Sequence, residues 1–209
     1  MRRTIVFNGW AAGPETWELC AFPHDWVFDY IEQLDGEPER VLADFDEVVL
    51  VGFSMGGSMA LNTLLREPRK VKGLVLISST ARMMEERDTG WKGLSPRRLQ
   101  ALCLGTRMLF GNDPSPIYAS ENMDRGIDFL KMTDLRDELC ARRAEWDDIK
   151  VEILQSVKDG IVRADNATFL AGVFPRAHIT WVEGGEHVLP VSAPELVDAA
   201  VERVCSDED

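Results

Sequence analysis

Two runs of β-branched and apolar residues, 47–53 (EVVLVGF) and 71–77 (VKGLVLI), bracket a helical stretch over 55–66 that Glu67-Pro68 closes. Strands apolar at nearly every position need cover on both faces, and two such strands joined through one helix lie parallel in a single sheet. Around this pair the alternation continues. Residues 4–7 read as a buried strand ending at Asn8-Gly9, 25–30 as a weaker strand, and 37–44 as a short helix begun beside Pro38. It resumes after residue 150 with a strand over 151–156, a helix over 163–172, a strand over 178–182 and a helix over 193–205. From 78 to about 150 it breaks into polar helical stretches carrying Met, Trp and Leu. The expected architecture is therefore α/β. A mostly parallel sheet with helices on both faces is built from 1–80 and 151–209, and 81–150 forms a helical cap inserted over one edge.

The sharpest chemical feature falls inside that frame. Gly52-Phe53-Ser54-Met55-Gly56-Gly57 stands where the EVVLVGF strand ends and a helix begins. A Gly-x-Ser-x-Gly match is common by itself; its position at a strand-to-helix turn gives it weight. A nucleophile elbow holds its serine in strained dihedrals, and small neighbours let the turn close. The other reading is a glycine-rich turn without chemistry.

A serine hydroxyl needs a base, and the chain offers His24, His178 and His187. His178 opens a predicted strand, where a structural role is expected, and His24 has no acid placed to orient it. His187 lies in the glycine-rich stretch Val182-Glu183-Gly184-Gly185-Glu186-His187, directly after the last strand. That loop belongs to the same carboxyl rim of the sheet as Ser54, where sites on parallel sheets collect. An acid should orient the base. Asp159, in Lys158-Asp159-Gly160 after the strand over 151–156, is the candidate on that rim; a plain Asp-Gly turn is the other reading, and Asp165 is the reserve. Oxyanion donors are expected from the backbone N–H of Met55 and from the loop Asn8-Gly9-Trp10, through the Trp10 N–H.

Charge and cysteine content exclude other classes. With 23 basic and 36 acidic residues among 209, the formal net charge is −13, which disfavours nucleic acid and anionic membranes as partners. The four cysteines are scattered, with no Cys-x-x-Cys pair and no zinc-ligand spacing, so neither a metal nor a cofactor is expected and reduced thiols in the cytoplasm are. The apolar stretch after Arg2-Arg3 is too short for a signal peptide or an anchor, and no membrane span is expected.

Taken in order, Phe7-Asn8-Gly9-Trp10, Gly52 to Gly57, Asp159-Gly160-Ile161-Val162 and Gly185-Glu186-His187 resemble the α/β-hydrolase superfamily over nearly the whole chain. The order Ser54, Asp159, His187 is the one that superfamily uses. Within it, three features are similar to the pimeloyl-acyl-carrier-protein methyl ester esterases of biotin synthesis: Asn-Gly-Trp, the elbow with paired glycines, and Ile127 to Arg136 (IDFLKMTDLR). The resemblance implies a cofactor-free serine hydrolase of carboxylic esters, with a small-molecule or carrier-linked acyl ester as substrate and an acyl carrier protein docking at the cap. A generic carboxylesterase, a thioesterase, a carbon–carbon bond hydrolase and a non-catalytic binding fold share the same scaffold. Two departures from the family stand out: Asn8 replaces its usual His, and the usual leading hairpin is missing.

Between Arg82 and Lys150 the sequence carries 12 basic and 13 acidic residues, so the cap is near neutral and the body holds almost all the negative charge. An acidic carrier would be tolerated near Arg136, Arg142 and Arg143. Alternatively these arginines pair along helix surfaces with Glu138, Glu145 and Asp147. Trp91, Leu94, Leu99, Leu102, Met108, Leu109 and Phe110 either line an acyl channel or form the buried faces of the cap helices.

Overall fold

The computed structural model describes residues 2–206. Its strands are β1 (Arg3–Phe7), β2 (Trp26–Phe28), β3 (Val48–Phe53), β4 (Val71–Ile77), β5 (Lys150–Ser156) and β6 (Ala177–Val182). They make one sheet in the order β2-β1-β3-β4-β5-β6, and every neighbouring pair is parallel. The sheet is thus parallel throughout, and among the described residues no antiparallel hairpin precedes β1. The helices are α1 (Tyr30–Leu34), α2 (Glu37–Leu42), α3 (Met55–Arg66), α4 (Pro96–Phe110), α5 (Ser120–Met132), α6 (Arg136–Ala141), α7 (Ala164–Val173), α8 (Leu189–Ser192) and α9 (Pro194–Cys205).

Successive strand residues point to opposite faces, and each face here has its own core. Leu50, Leu74, Leu76 and Ile153 pack with Leu61 and Leu64 of α3 and Leu170 of α7. Val49, Val51, Val75 and Ile77 pack with Val197, Val201 and Val204 of α9. Continuous apolar runs were therefore the right signal for strands sandwiched between helices. No helix among the described residues is long and apolar enough to cross a membrane.

The strand expected over 25–30 is shorter than its sequence suggests. Asp29 ends it by capping α1: its carboxylate accepts from the Ile31 and Glu32 amides while the Glu32 side chain accepts from the Asp29 N–H. This reciprocal capping box converts Tyr30 from the last strand residue into the first helical one.

Helices α4, α5 and α6 occupy the stretch between β4 and β5. An ionic cluster closes the base of that stretch. Arg136 bridges Asp134 (2.8 Å) and Glu86 (2.6 Å), Arg82 pairs with Asp134, and the Arg136 guanidinium lies 4.7 Å from the centre of the Trp91 ring. Hydrogen bonding from Arg136, then from Arg82, holds the Asp134 carboxyl well below the usual carboxylate range. Because the folded carboxyl releases its proton more readily than the unfolded one, the stabilisation is complete above the unfolded value of about 3.9. It is lost as the pH falls from there toward the lower folded value. Asp134→Asn is expected to lower the urea midpoint at pH 7, and the gap to the parent is expected to narrow steadily as the pH falls below about 4. Midpoints measured across that range check this, and a constant gap would count against it.

Candidate active site

Residue 54 joins β3 to α3 with φ 54° and ψ −119°, a conformation that non-glycine residues rarely adopt. Such a residue costs of order 1–3 kcal/mol and persists only where its surroundings over-determine it. Here they do. The Ser54 N–H donates to the Ile77 carbonyl at 2.8 Å, and the Ser79 hydroxyl donates to the Ser54 carbonyl at 3.0 Å. A Cβ on Gly52 would strike the backbone of Gly57, and one on Gly56 would strike the carbonyl of Phe7. The elbow therefore closes only with glycine at these positions. Ser54 itself is buried but for 8% of its surface.

His187 stands in the loop after β6, beside a clamp in which the Ser156 hydroxyl donates to the Glu186 carbonyl at 2.6 Å. Its Nε2 lies 2.9 Å from Ser54 Oγ, and its Nδ1 lies 2.8 Å from Asp159 Oδ2. Asp159 follows β5, and its carboxylate is fully buried. Oδ1 accepts from the amides of Ile161 (2.7 Å) and Val162 (3.0 Å), which fix the carboxylate's orientation. A carboxylate only accepts, so Nδ1 carries the proton. In the neutral ring Nε2 is then the acceptor and faces the Ser54 hydroxyl. The three groups form a relay that can take a proton from an alcohol.

The other candidates lie elsewhere. Asp165 is exposed on α7 near Arg163. His178 meets Glu152 at 3.1 Å, and His24 meets the Phe22 carbonyl.

Gly9 brings its loop against the elbow: a Cβ there would lie 3.1 Å from the Phe53 ring and 3.2 Å from Ser54 Cβ. Among the described residues no acceptor meets the Trp10 backbone N–H. Met55 opens α3, so its N–H has no carbonyl one turn back to bond. Sequence reasoning missed three supports. Trp17 Nε1 donates to Asn8 Oδ1 at 2.5 Å, and Gln33 Nε2 donates to the Asn8 carbonyl at 3.1 Å, so Asn8 anchors the loop from below. Gln155 Nε2 donates to the Val162 carbonyl at 2.9 Å and lies 3.4 Å from Asp159 Oδ2. The one available signal was a glutamine at a core-facing strand position.

A cavity of about 260 Å³ opens over Ser54 and His187, walled by Leu94, Leu102, Phe110, Leu130, Ile161 and Val188. Leu94, Leu102 and Phe110 thus line a channel, whereas Leu99 is buried and Trp91 packs edge-on against Phe169. Met108 and Leu109 do neither, being 78% and 79% exposed on the outer face of α4. Of the three arginines, Arg142 pairs with Glu138 and Glu145 at helical spacing, while Arg136 is held by Asp134 and Glu86 instead of by its own helix. A wider cleft of about 820 Å³, lined by Arg3, Asp25 and Asp44 among others, contains none of the relay residues.

A wholly parallel sheet with a strained serine at the exit of β3 defines an α/β hydrolase, and the chain belongs to that family: the model of the alpha/beta hydrolase family matches residues 9–200. Parts of the chain are also similar to curated proteins named pimeloyl-[acyl-carrier protein] methyl ester esterase. One, from Shewanella woodyi, is 35% identical over 75 residues, covering 36% of this chain and 25% of the relative. Another, from Pseudoalteromonas atlantica, is 32% identical over 120 residues, covering 44% and 46%. The matches therefore span less than half the length of those relatives. Among solved structures, a hydrolase from Oleispira antarctica superposes with a TM-score of 0.74 at 14% identity, over 100% of this chain and 92% of that one, a likeness of fold.

Proposed function

We propose that the protein is a cofactor-free serine hydrolase of carboxylic (acyl) esters. The observation that carries this is the continuous relay from Ser54 Oγ through His187 to Asp159, with contacts of 2.9 and 2.8 Å. Ser54 Oγ attacks the ester carbonyl carbon as its proton passes to His187 Nε2, and Asp159 stabilises the imidazolium. The negative charge that develops on the carbonyl oxygen is taken by the Trp10 and Met55 amides. Collapse breaks the bond to the alkoxy oxygen, which leaves as alcohol with the proton from His187. Water, deprotonated by His187, then attacks the acyl-enzyme, and collapse returns that proton to Ser54 Oγ while the carboxylic acid departs and ionises in water. A fluorophosphonate probe tests this: labelling at Ser54 is expected, and folded protein that stays unlabelled would favour a non-catalytic binding fold. Four cysteines scattered along the sequence, with no Cys-x-x-Cys pair, support a reducing, cytoplasmic setting.

Residues 81–150 act in this reading as a cap that shapes the acyl site, since Leu102 and Phe110 of α4 and Leu130 of α5 wall the cavity. The apolar wall suits an acyl chain and leaves a generic carboxylesterase or thioesterase as the broad assignment. A narrower substrate, the methyl ester of a pimeloyl group on an acyl carrier protein, is supported by the two curated relatives. Arg143 is exposed, but Arg142 beside it bonds the Leu65 carbonyl at the end of α3 remote from Ser54, so a carrier feeding the cavity would approach another face of the cap. Rescue of a biotin auxotroph lacking its methyl ester esterase supports that substrate. Failure despite good expression and esterase activity leaves the broad assignment alone standing.

A further inference from the structure

The Trp10 side chain does something that a loop residue chosen only for its backbone need not do. Its indole leaves the active-site loop and reaches α5, where Nε1 donates to the Met123 carbonyl at 3.1 Å. Gly126, three residues further along α5, makes room for it. A Cβ at residue 126 would lie 2.5 Å from Trp10 Cδ1, 3.0 Å from Nε1 and 3.1 Å from Tyr30 Cε2. A helical carbonyl keeps a second lone pair after its helix bond, and the missing side chain at 126 opens Met123's to the indole. Two further contacts hold α5 in this register. The fully buried Tyr30 donates through its hydroxyl to the Ile117 carbonyl, in the turn that leads into α5, at 2.5 Å, and Arg125 of α5 pairs with Asp35 at 2.5 Å. The same helix walls the acyl cavity through Leu130.

We infer that Gly126 is a positioning residue for the oxyanion site: the indole seated in its notch sets the Trp10 amide, so the hole is aligned only while α5 is docked. The inference rests on the reading of Ser54 as nucleophile and of the Trp10 N–H as an oxyanion donor. Only the Cα–Cβ and Cβ–Cγ torsions separate the anchored ring from the backbone that carries that N–H, and the Met123 bond and the Gly126 notch fix the ring's position. Ordinary carbon contacts need about 3.5–4.0 Å, so a methyl group at 126 must push the ring, and the amide behind it, by about 1 Å. A displacement of that size at a reacting centre costs up to about 100-fold. Folding should tolerate the change, because alanine is a better helix former than glycine.

The test is a double-mutant cycle between Gly126→Ala and Trp10→Leu, whose flexible side chain can move aside. Gly126→Ala is expected to lower kcat about 10- to 100-fold with KM within about threefold. Affinity for an alkylboronic acid, which forms a tetrahedral adduct on the serine, should fall in parallel while affinity for the carboxylate product holds. On the Trp10→Leu background the same substitution should cost less than about twofold. Trp10→Leu alone, should Gly126→Ala not fold, is expected to show the same loss in kcat with KM retained. An unchanged kcat, a loss confined to KM, or an equal loss on both backgrounds would overturn the inference. Fluorophosphonate labelling separates the two levels: a labelled parent with an unaffected Gly126→Ala variant sinks the seat alone, and an unlabelled parent sinks the hydrolase reading beneath it.

Discussion

Ser54→Ala is expected to abolish hydrolysis of a short p-nitrophenyl ester, with kcat falling by roughly 10⁴- to 10⁶-fold, since members of such a relay act as a unit. The backbone should survive the change. Alanine can hold the positive φ of the elbow, as Ala11 does at φ 55°, and the Ile77 and Ser79 bonds that fix residue 54 use its main chain. A thermal melt close to the parent's would show that the loss is chemical. Turnover within tenfold of the parent, by contrast, would mean that another residue supplies the nucleophile.

Asp159→Asn should be nearly as damaging, by about 10⁴-fold in kcat. The amide is almost isosteric and its oxygen can still accept from Ile161 and Val162, so the loop after β5 keeps its shape. What changes is the atom opposite His187. An amide nitrogen placed where Oδ2 now lies 2.8 Å from Nδ1 donates where the carboxylate accepted. The ring then carries its proton on Nε2, and the face toward Ser54 becomes a donor unable to take the hydroxyl proton. Steady-state kinetics on the variant check this, with fluorophosphonate labelling expected to slow in step. A variant that kept a tenth or more of the parent's rate would remove Asp159 from the mechanism.

The frame of the molecule was written in residue order. Runs such as 47–53 and 71–77 can be satisfied only inside a two-sided sheet, and they bound β3 and β4 to within a residue. Ser54, Asp159 and His187 could be picked out because each follows a strand of one parallel sheet and so falls on one rim, where the fold brings them into contact. Other features depend on distant partners that no local pattern reveals. The short α1 arises from a capping box whose Asp29 and Glu32 looked like ordinary polar residues. Asn8 reads as a substitution of unknown effect until Trp17 and Gln33 are seen to hold it. The exposure of Met108 and Leu109 runs against their hydrophobicity, because α4 buries only Leu99 fully. Gly126 carries no local signal of its role, and its reason is an indole 116 residues earlier in the chain.

Ser54 and His187 are 133 positions apart, and the proposed base, His187, and its acid, Asp159, both come from the last third of the chain. During synthesis the ribosome releases the elbow, with β1, β3 and β4 able to pair around it, well before β5 and β6 exist. A nascent chain at that stage holds a strained serine with no imidazole near it and is chemically silent. In the proposed mechanism hydrolytic competence therefore arrives late, with the docking of the final two strands, and a truncated translation product would carry the proposed nucleophile unarmed.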